Sequence, residues 1–288
     1  MLAQLLANGI VIGSSYVLVA VGLTLIFGIL KIVNFAHGEF YMLGGYAGVL
    51  GSKTLGWPVL PTLALVVALM ALFGLAVQRL VFRPIGGGDP TNAIVASFGL
   101  SIFLQNFFLE TLGAEPMISA SGFAAGALQF GPVFLTRERV AIVLATAVIV
   151  AVLVAILRGT WVGLSLRALS ANPVVARTSG IDVGRVSIVT FVLGTILAGI
   201  SGAMMSTIFM VQPSSGALVV MKAFVIVVVA GMGRIEGAIV VGLALGMIEA
   251  LVSGYVGNAF RDIVGFVIVM LVLYLRPEGL FGTRTERS

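Results

Sequence analysis

The chain has 288 residues, 60% hydrophobic and only 9% charged, against about 25% charged in soluble domains. So little charge cannot clothe a soluble surface, which excludes a soluble globular domain; the length suits eight or nine spans of about 20 residues with no room for a separate soluble domain. The absence of cysteine excludes disulfides, iron–sulfur clusters and thiol catalysis. A single histidine, His37, argues against a multi-ligand metal site, and the net charge of +5 comes from arginines at span ends rather than from a nucleic-acid-binding patch.

In chain order, residues 5–30 carry no charge and form the first expected span, with Gly9, Gly13, Gly22 and Gly28 suited to close helix packing in lipid. The start lacks a basic n-region and a small-residue cleavage site, so no cleavable signal peptide is expected. Polar residues interrupt from Lys31 to Glu39. Residues 40–56 are apolar but short and rich in glycine, and Trp57-Pro58 marks an interface. Residues 59–78 form a clean span, closed by Arg79, Arg83 and Pro84. Gly86-Gly87-Gly88-Asp89-Pro90 reads as a loop. Residues 91–109 are the next span. The longest connection, 111–138, is mixed in polarity and contains Gly113, Pro116, Gly122, Gly126, Gly131 and Pro132. Residues 140–157 are span-like, and a basic stretch follows from Arg158 to Arg185. Residues 186–211 are apolar, 222–233 apolar but short, and 237–253 and 262–275 are the last candidates before a short charged tail. The expected fold is an all-α, polytopic transmembrane helical bundle of about eight or nine spans in one domain, 1–288. No internal repeat is visible, which weakens a secondary transporter built from matched halves.

Basic residues set the expected orientation. With the N-terminus outside, the inner side holds Lys31, Arg79, Arg83, Arg158, Arg167, Arg177, Arg185, Arg234, Arg276, Arg284 and Arg287. The outer side holds Lys53, Arg137, Arg139, Lys222 and Arg261, eleven against five. Positive-inside bias favours N-out and C-in, with nine crossings if each short segment crosses fully. Lys222 leaves residues 212–236 open to a re-entrant reading. Accessibility is expected from outside at position 125 and from inside at position 178.

Three constellations stand out. Lys31-Ile-Val-Asn34-Phe-Ala-His37-Gly-Glu39 places an amide, an imidazole and a carboxylate within six positions. A charge at the bilayer centre costs about 2.5–3.5 kcal/mol, so these groups need partners or water if they enter. They are either an element near a translocation path or a helix end with Lys31 and Glu39 reaching water. In the basic loop, Asn172 suits an N-cap, Pro173 the first helical position and Gly180 the C-cap, which predicts a short helix over 173–179 outside the hydrocarbon. So short a helix is marginal alone. It must dock on the protein's own inner surface, on anionic headgroups or on a partner, and composition does not choose. Gly231-Met-Gly233-Arg234 reads as a tight turn, because no strand precedes it and no Gly-Lys-Ser/Thr follows. Gln105, Asn106, Glu110, Glu249, Arg261 and Asp262 are isolated polar residues near or within spans. Glu249 has no neighbouring cation in sequence and is a pathway candidate or a buried structural hydrogen bond. No catalytic set and no nucleotide-binding motif is present.

Residues 22–44, GLTLIFGILKIVNFAHGEFYMLG, resemble the signature of branched-chain amino acid (Liv-type) ABC transporter permeases of the smaller, H-subunit kind. The likeness recurs at Ser101-Ile-Phe-Leu-Gln105-Asn106, at Arg167-Ala and Ser179-Gly180-Ile181, at Lys222-Ala-Phe with Gly237-Ala, and at Arg276-Pro-Glu-Gly-Leu-Phe-Gly, in the family's order. The resemblance implies a multi-pass subunit of a bacterial inner (cytoplasmic) membrane, surrounded by lipid and paired with a second homologous permease. Two cytoplasmic ATPase subunits would carry ATP and Mg, a periplasmic solute-binding protein would deliver substrate, and this chain itself would bind no cofactor and catalyse nothing. Asn34, His37, Glu39, Gln105, Asn106 and Glu249 are then translocation-path candidates. Within a cytoplasmic loop over 158–186, Arg167, Asn172, Pro173, Val174, Val175, Ala176, Arg177 and Gly180 are candidates for coupling to the ATPase. Ser170-Ala-Asn-Pro173 departs from the acidic stretch of amino acid members, which leaves amides, urea and aromatic acids as further solutes. An ion-coupled carrier and a passive channel filtered by Asn34, His37 and Glu39 are the rival readings.

Overall fold

The computed structural model describes residues 1–85, 89–120 and 126–282; the expected glycine loop at 86–88, Gly122, position 125, Arg284 and Arg287 lie outside the described residues. The chain runs α1 (Leu2–Leu30), α2 (His37–Val49) prolonged by a π turn (Leu50–Thr54), and α3 (Val59–Val77) prolonged through a second π turn (Gln78–Phe82) into a last turn, α4 (Arg83–Ile85). Then come α5 (Pro90–Leu112), a hairpin of β1 (Ala127–Phe130) and β2 (Val133–Thr136), α6 (Arg137–Gly159), α7 (Trp161–Ala171) and α8 (Pro173–Thr178). The chain ends with α9 (Val183–Met205), α10 (Ser215–Ala230), α11 (Ile235–Tyr255) and α12 (Arg261–Leu275).

Among the described residues, seven helices are long and apolar enough to cross a membrane. The protein is therefore a multi-pass membrane bundle. The gap from an expected eight or nine spans is α2 and α10, whose 13 and 16 residues reach only about 20 and 24 Å at 1.5 Å per residue, against a hydrocarbon core of about 30 Å. The all-α bundle is as expected, with one short antiparallel hairpin, turned by Gly131 at φ +58°, in the long connection 111–138. Two sequence expectations need correction. Pro84 does not close the third span, which continues to Ile85. Lys222 does not sit at an outer end but within α10, almost wholly buried.

Helix starts follow local chemistry. Asp89 Oδ1 accepts the Thr91 N–H at 2.8 Å ahead of Pro90, a bond that holds the Asp89 carboxyl below the usual carboxylate range. Asp182 likewise caps α9 by accepting the Arg185 N–H at 3.1 Å.

Helix α1 is central: 78% of its apolar stretch is buried, against 6% for α12. It packs against α9, α10, α11 and α6. The closest crossings are backbone against backbone. A Cβ on Gly44 of α2 would lie 2.0 Å from the Gly199 carbonyl of α9, and one on Gly22 of α1 would lie 2.7 Å from the Gly194 carbonyl. Such small-residue seams replace the hydrophobic drive that is missing between helices in lipid.

Contacts sort the helix ends into two groups. At the end with the start of α1, the Gln4 amide donates to the Phe134 carbonyl at 2.9 Å and accepts the Phe134 N–H at 2.8 Å. There Arg139 also reaches Asn8 at 2.7 Å, and Met117 pairs with Val211. At the opposite end, Ser170 of α7 donates to the Gly28 carbonyl at 3.0 Å, and Arg158 pairs with Glu236. The segment after α12 closes this end: the Leu280 and Phe281 amides donate to the Val229 and Ala230 carbonyls at 2.8 and 3.1 Å. These are carbonyls that the last turn of α10 leaves unpaired. The Gly231–Gly233 turn, with φ of +94° and +87°, joins α10 to α11 as the sequence predicts.

Replacing Gly44 by leucine should force α2 and α9 apart, with the 1–3 kcal/mol destabilisation typical of overpacking. Gly99→Ala, at an α5 position with nothing within 4 Å of a new Cβ, should be neutral or stabilising. Thermal unfolding of the purified proteins in detergent checks both, and equal midpoints would refute the close seam.

Candidate functional site

The break after α1 is built locally. Lys31 takes a left-handed conformation, φ 55°, and ends α1 with its N–H on the Phe27 carbonyl at 2.9 Å. The chain then turns back into the bundle. Asn34 Oδ1 accepts the Ala36 N–H at 3.0 Å, and Ser97 Oγ of α5 accepts the Phe35 N–H at 3.1 Å. Helix α2 starts at His37, whose Nε2 lies 3.1 Å from the Val19 carbonyl. A carbonyl only accepts, so Nε2 carries the proton. Val19 lies eleven residues before the end of α1, about 16 Å along its axis. Helix α2 therefore begins inside the bundle.

Helix α10 begins at the same place from the other direction. A Cβ on Gly38 would stand 2.1 Å from the Gly216 carbonyl, so the first turns of α2 and α10 touch. Both are N-termini, with unpaired N–H groups and the positive ends of helix dipoles. Glu39 stands between them. Its Oε1 accepts from Ser101 at 3.0 Å and from Gln105 at 3.4 Å. Its Oε2 faces Gly216, 2.7 Å from where a Cβ would lie, and has no hydrogen-bond partner among the described residues. Ser97, Ser101 and Gln105 recur every four residues and form one polar stripe on α5, while Phe98, Ile102 and Phe103 of that helix stay exposed.

The structure thus gathers Asn34, His37 and Glu39 in the buried interior at the start of α2, with the partly exposed Gln105 bonded to Glu39 at its edge. Lys31 reaches the surface as a helix end should, but the reading that put Glu39 in water fails, since it is wholly enclosed. Asn106 is separate. Its amide donates to its own helix at the Ile102 carbonyl, 2.8 Å away, and it lines a surface pocket of about 210 Å³ with Gln105, Gln212 and Ser214.

Glu249 is not isolated. Lys222 Nζ lies 2.5 Å from its Oε1, Arg261 Nε 3.1 Å from its Oε2, and the Tyr16 hydroxyl donates to Oε2 at 2.8 Å. Arg261 also donates to the Tyr16 oxygen at 3.1 Å, and Lys222 pairs with Asp262 at 3.0 Å. Two cations and two carboxylates balance and tie α1, α10, α11 and α12 together. Sequence reading missed this pairing because it searched only for adjacent cations. Helices α10 and α11 form an antiparallel pair about the 231–234 turn, but Lys222 lies much nearer that turn than Glu249 does, so spacing alone does not give the pairing. The network borders a cavity of about 420 Å³ whose other walls include Met205, Phe209 and Val219.

At the opposite end lies the basic loop. Helix α7 was not foreseen; Thr160 caps it by accepting the Gly163 N–H at 3.2 Å, and it buries Leu166 and Leu169. The predicted short helix is present as α8. Asn172 Oδ1 accepts the Val174 and Val175 N–H groups at 3.0 and 3.1 Å behind Pro173, and Gly180 follows at φ +83°. Val174 and Val175 are 72% and 56% exposed and Arg177 is exposed, whereas Ala176 is turned into the protein. Arg167 belongs to α7 and donates to the Leu157 carbonyl at 2.5 Å.

A family profile described as the permease component of branched-chain amino acid transport systems matches residues 5–273. The chain is 32% identical to the high-affinity branched-chain amino acid transport system permease protein LivH of Salmonella typhimurium, over 97% of this chain and 95% of that protein. LivH of Escherichia coli K12 gives the same figures, and the permease protein BraD of Pseudomonas aeruginosa is 30% identical over the same shares. These relatives are permease subunits of transport systems, not enzymes. No solved structure matches the chain. Because the profile runs from the first turn of α1 to within two residues of the end of α12, it embraces the interrupted helices, the charge network and the capped surface helix alike, and the chain belongs to the branched-chain amino acid transport permease family.

Proposed function

We propose that the chain is one permease subunit of an ATP-driven importer in a bacterial inner membrane, forming half of a path for branched-chain amino acids or similar small amphipathic solutes. One observation beyond the family carries this reading. Helix α8 is held rigidly by Asn172 yet presents Val174, Val175 and Arg177 outward on the most basic end of the bundle. Exposed apolar side chains on so short a helix fit a protein groove better than water.

In this reading that end faces the cytoplasm, with the N-terminus outside, the C-terminus inside, and α2 and α10 completing nine crossings. Positive-inside bias supports the assignment: Lys31, Arg83, Arg158, Arg167, Arg177, Arg185, Arg234 and Arg276 all belong to the end that carries α8. Two ATPase subunits would seat α8, bind ATP and Mg and supply the work. A second homologous permease would complete the path, and a periplasmic binding protein would deliver the solute. Displacement of α8 would pass through α7 to α1 by the Ser170–Gly28 bond.

Charge in the seat should uncouple the machine. Val175→Asp is expected to lower ATP-driven uptake at least tenfold in reconstituted transporter, with the thermal midpoint of the permease unchanged. Undiminished uptake would sink the docking role of α8. Uptake that survives ATP depletion but collapses with an uncoupler would instead favour an ion-coupled carrier.

Orientation has its own check, since no native cysteine competes. Cysteine at Gln129, exposed on β1, should react with an impermeant maleimide added outside. Cysteine at Thr178, exposed on α8, should react only from inside. Labelling of both from one side would refute the alternation.

A further inference from the structure

The charge network closes only part of its own wall. Arg261 has five N–H donors and gives one to Glu249 and one to the Tyr16 oxygen. Lys222 gives two of its three to Glu249 and Asp262. Asp262 uses Oδ1 for Lys222, and its side chain is 65% exposed. Spare donors and a spare carboxylate oxygen thus look into the cavity of about 420 Å³. The rest of the lining is different in kind, with Met205, Phe209 and Val219 among its apolar side chains. A network that served packing alone would have no use for a half-polar, half-apolar chamber beside it. Burying an unmatched carboxylate or ammonium there would be costly, but a solute bearing both, on one carbon, matches each charge with an opposite one.

We propose that this cavity binds a zwitterionic α-amino acid: its carboxylate on Arg261 and Lys222, its ammonium on Asp262, and its apolar side chain against Met205, Phe209 and Val219. The assignment rests on the import reading above and adds where, and by which groups, the solute is recognised within this subunit. It also gives the permease a sieve of its own. The apolar wall measures side-chain size, and a hydrophobic pocket discriminates a methylene by about tenfold or somewhat more.

The test uses the whole reconstituted transporter with an unaltered solute-binding protein, so that any change in solute ranking arises in the permease. ATP-dependent uptake of leucine, isoleucine and valine is measured side by side. Val219→Phe narrows the apolar wall and is expected to raise the valine-to-leucine uptake ratio at least fivefold. Val219→Ala widens it, moves the ratio the other way, and serves where the phenylalanine variant fails to fold. Asp262→Asn should lower uptake of all three at least tenfold while ATP hydrolysis stimulated by the binding protein persists. Folded Val219 variants that scale the three rates equally would overturn the assignment, whatever Asp262→Asn does. Absence of ATP-dependent uptake by the wild-type transporter would overturn the import reading, and this assignment with it.

Discussion

Two helices begin inside the bundle, and their positive ends face each other across Gly38 and Gly216. In water such an arrangement would be screened. In a low-dielectric interior, unpaired N–H groups cost several kcal/mol each, and two half-charges of like sign repel. Neither start has a side-chain cap of its own. The Glu39 carboxyl group is the polar acceptor that stands between them, and α5 holds it there with Ser101 and Gln105. The inward fold of the chain from Lys31 to Ala36 is what brings it to this junction. Gly38 and Gly216 are equally necessary, because any side chain at either would separate the two starts and leave the carboxylate serving one end alone.

The second buried charge system solves a different problem by the same means. Lys222 sits seven residues into α10, where an unpaired ammonium would bar the helix from an apolar interior. Glu249 and Asp262 remove that objection, and Arg261 with Tyr16 balances the second oxygen of Glu249. The members come from four helices, so the network also fixes the register of α1, α10, α11 and α12. Glu39 is fully enclosed, whereas Asp262 remains half open. The first system reads as a closed structural joint, the second as a surface prepared for a solute.

Much of this was legible in the sequence wherever the signal is local. Asn172, Pro173 and Gly180 marked α8 to within one residue, because capping is decided by neighbours in the chain. Long apolar runs found α1, α3, α5, α6, α9, α11 and α12, because lipid imposes length and hydrophobicity together. Legibility failed where partners are distant. The span containing Lys222 looked broken because its compensating carboxylates lie 27 and 40 positions on. Glu39 was left open between a buried element and a helix end in water, because two helix ends meeting in space leave no trace in spacing. Helix α7 was lost inside a loop defined by its basic charge, although its buried Leu166 and Leu169 stand three apart on one face. The Ser97–Ser101–Gln105 stripe was readable, but Gln105 was noted as an isolated polar residue and Ser101 only as part of a resemblance.

Two apolar cores meet along a seam that contains small residues. Helices α1, α6, α10 and α11 and one face of α9, with Leu197, Ile200, Met204 and Met205, share one, while α2, α3 and the other face of α9 share another that also takes in Ile26 of α1. Between them lie the Gly22–Gly194 approach, the Ser15–Ser201 hydroxyl pair at 2.8 Å, and the Gly38–Gly216 junction. Contacts of this kind give close approach, but the four α9 side chains reach into the first core and Ile26 of α1 into the second, so side chains also key the two cores together. The Glu249 network ties α1, α10, α11 and α12 to one another, and the cavity beside Arg261 is bounded by both α2 and α10 through Tyr41 and Val219.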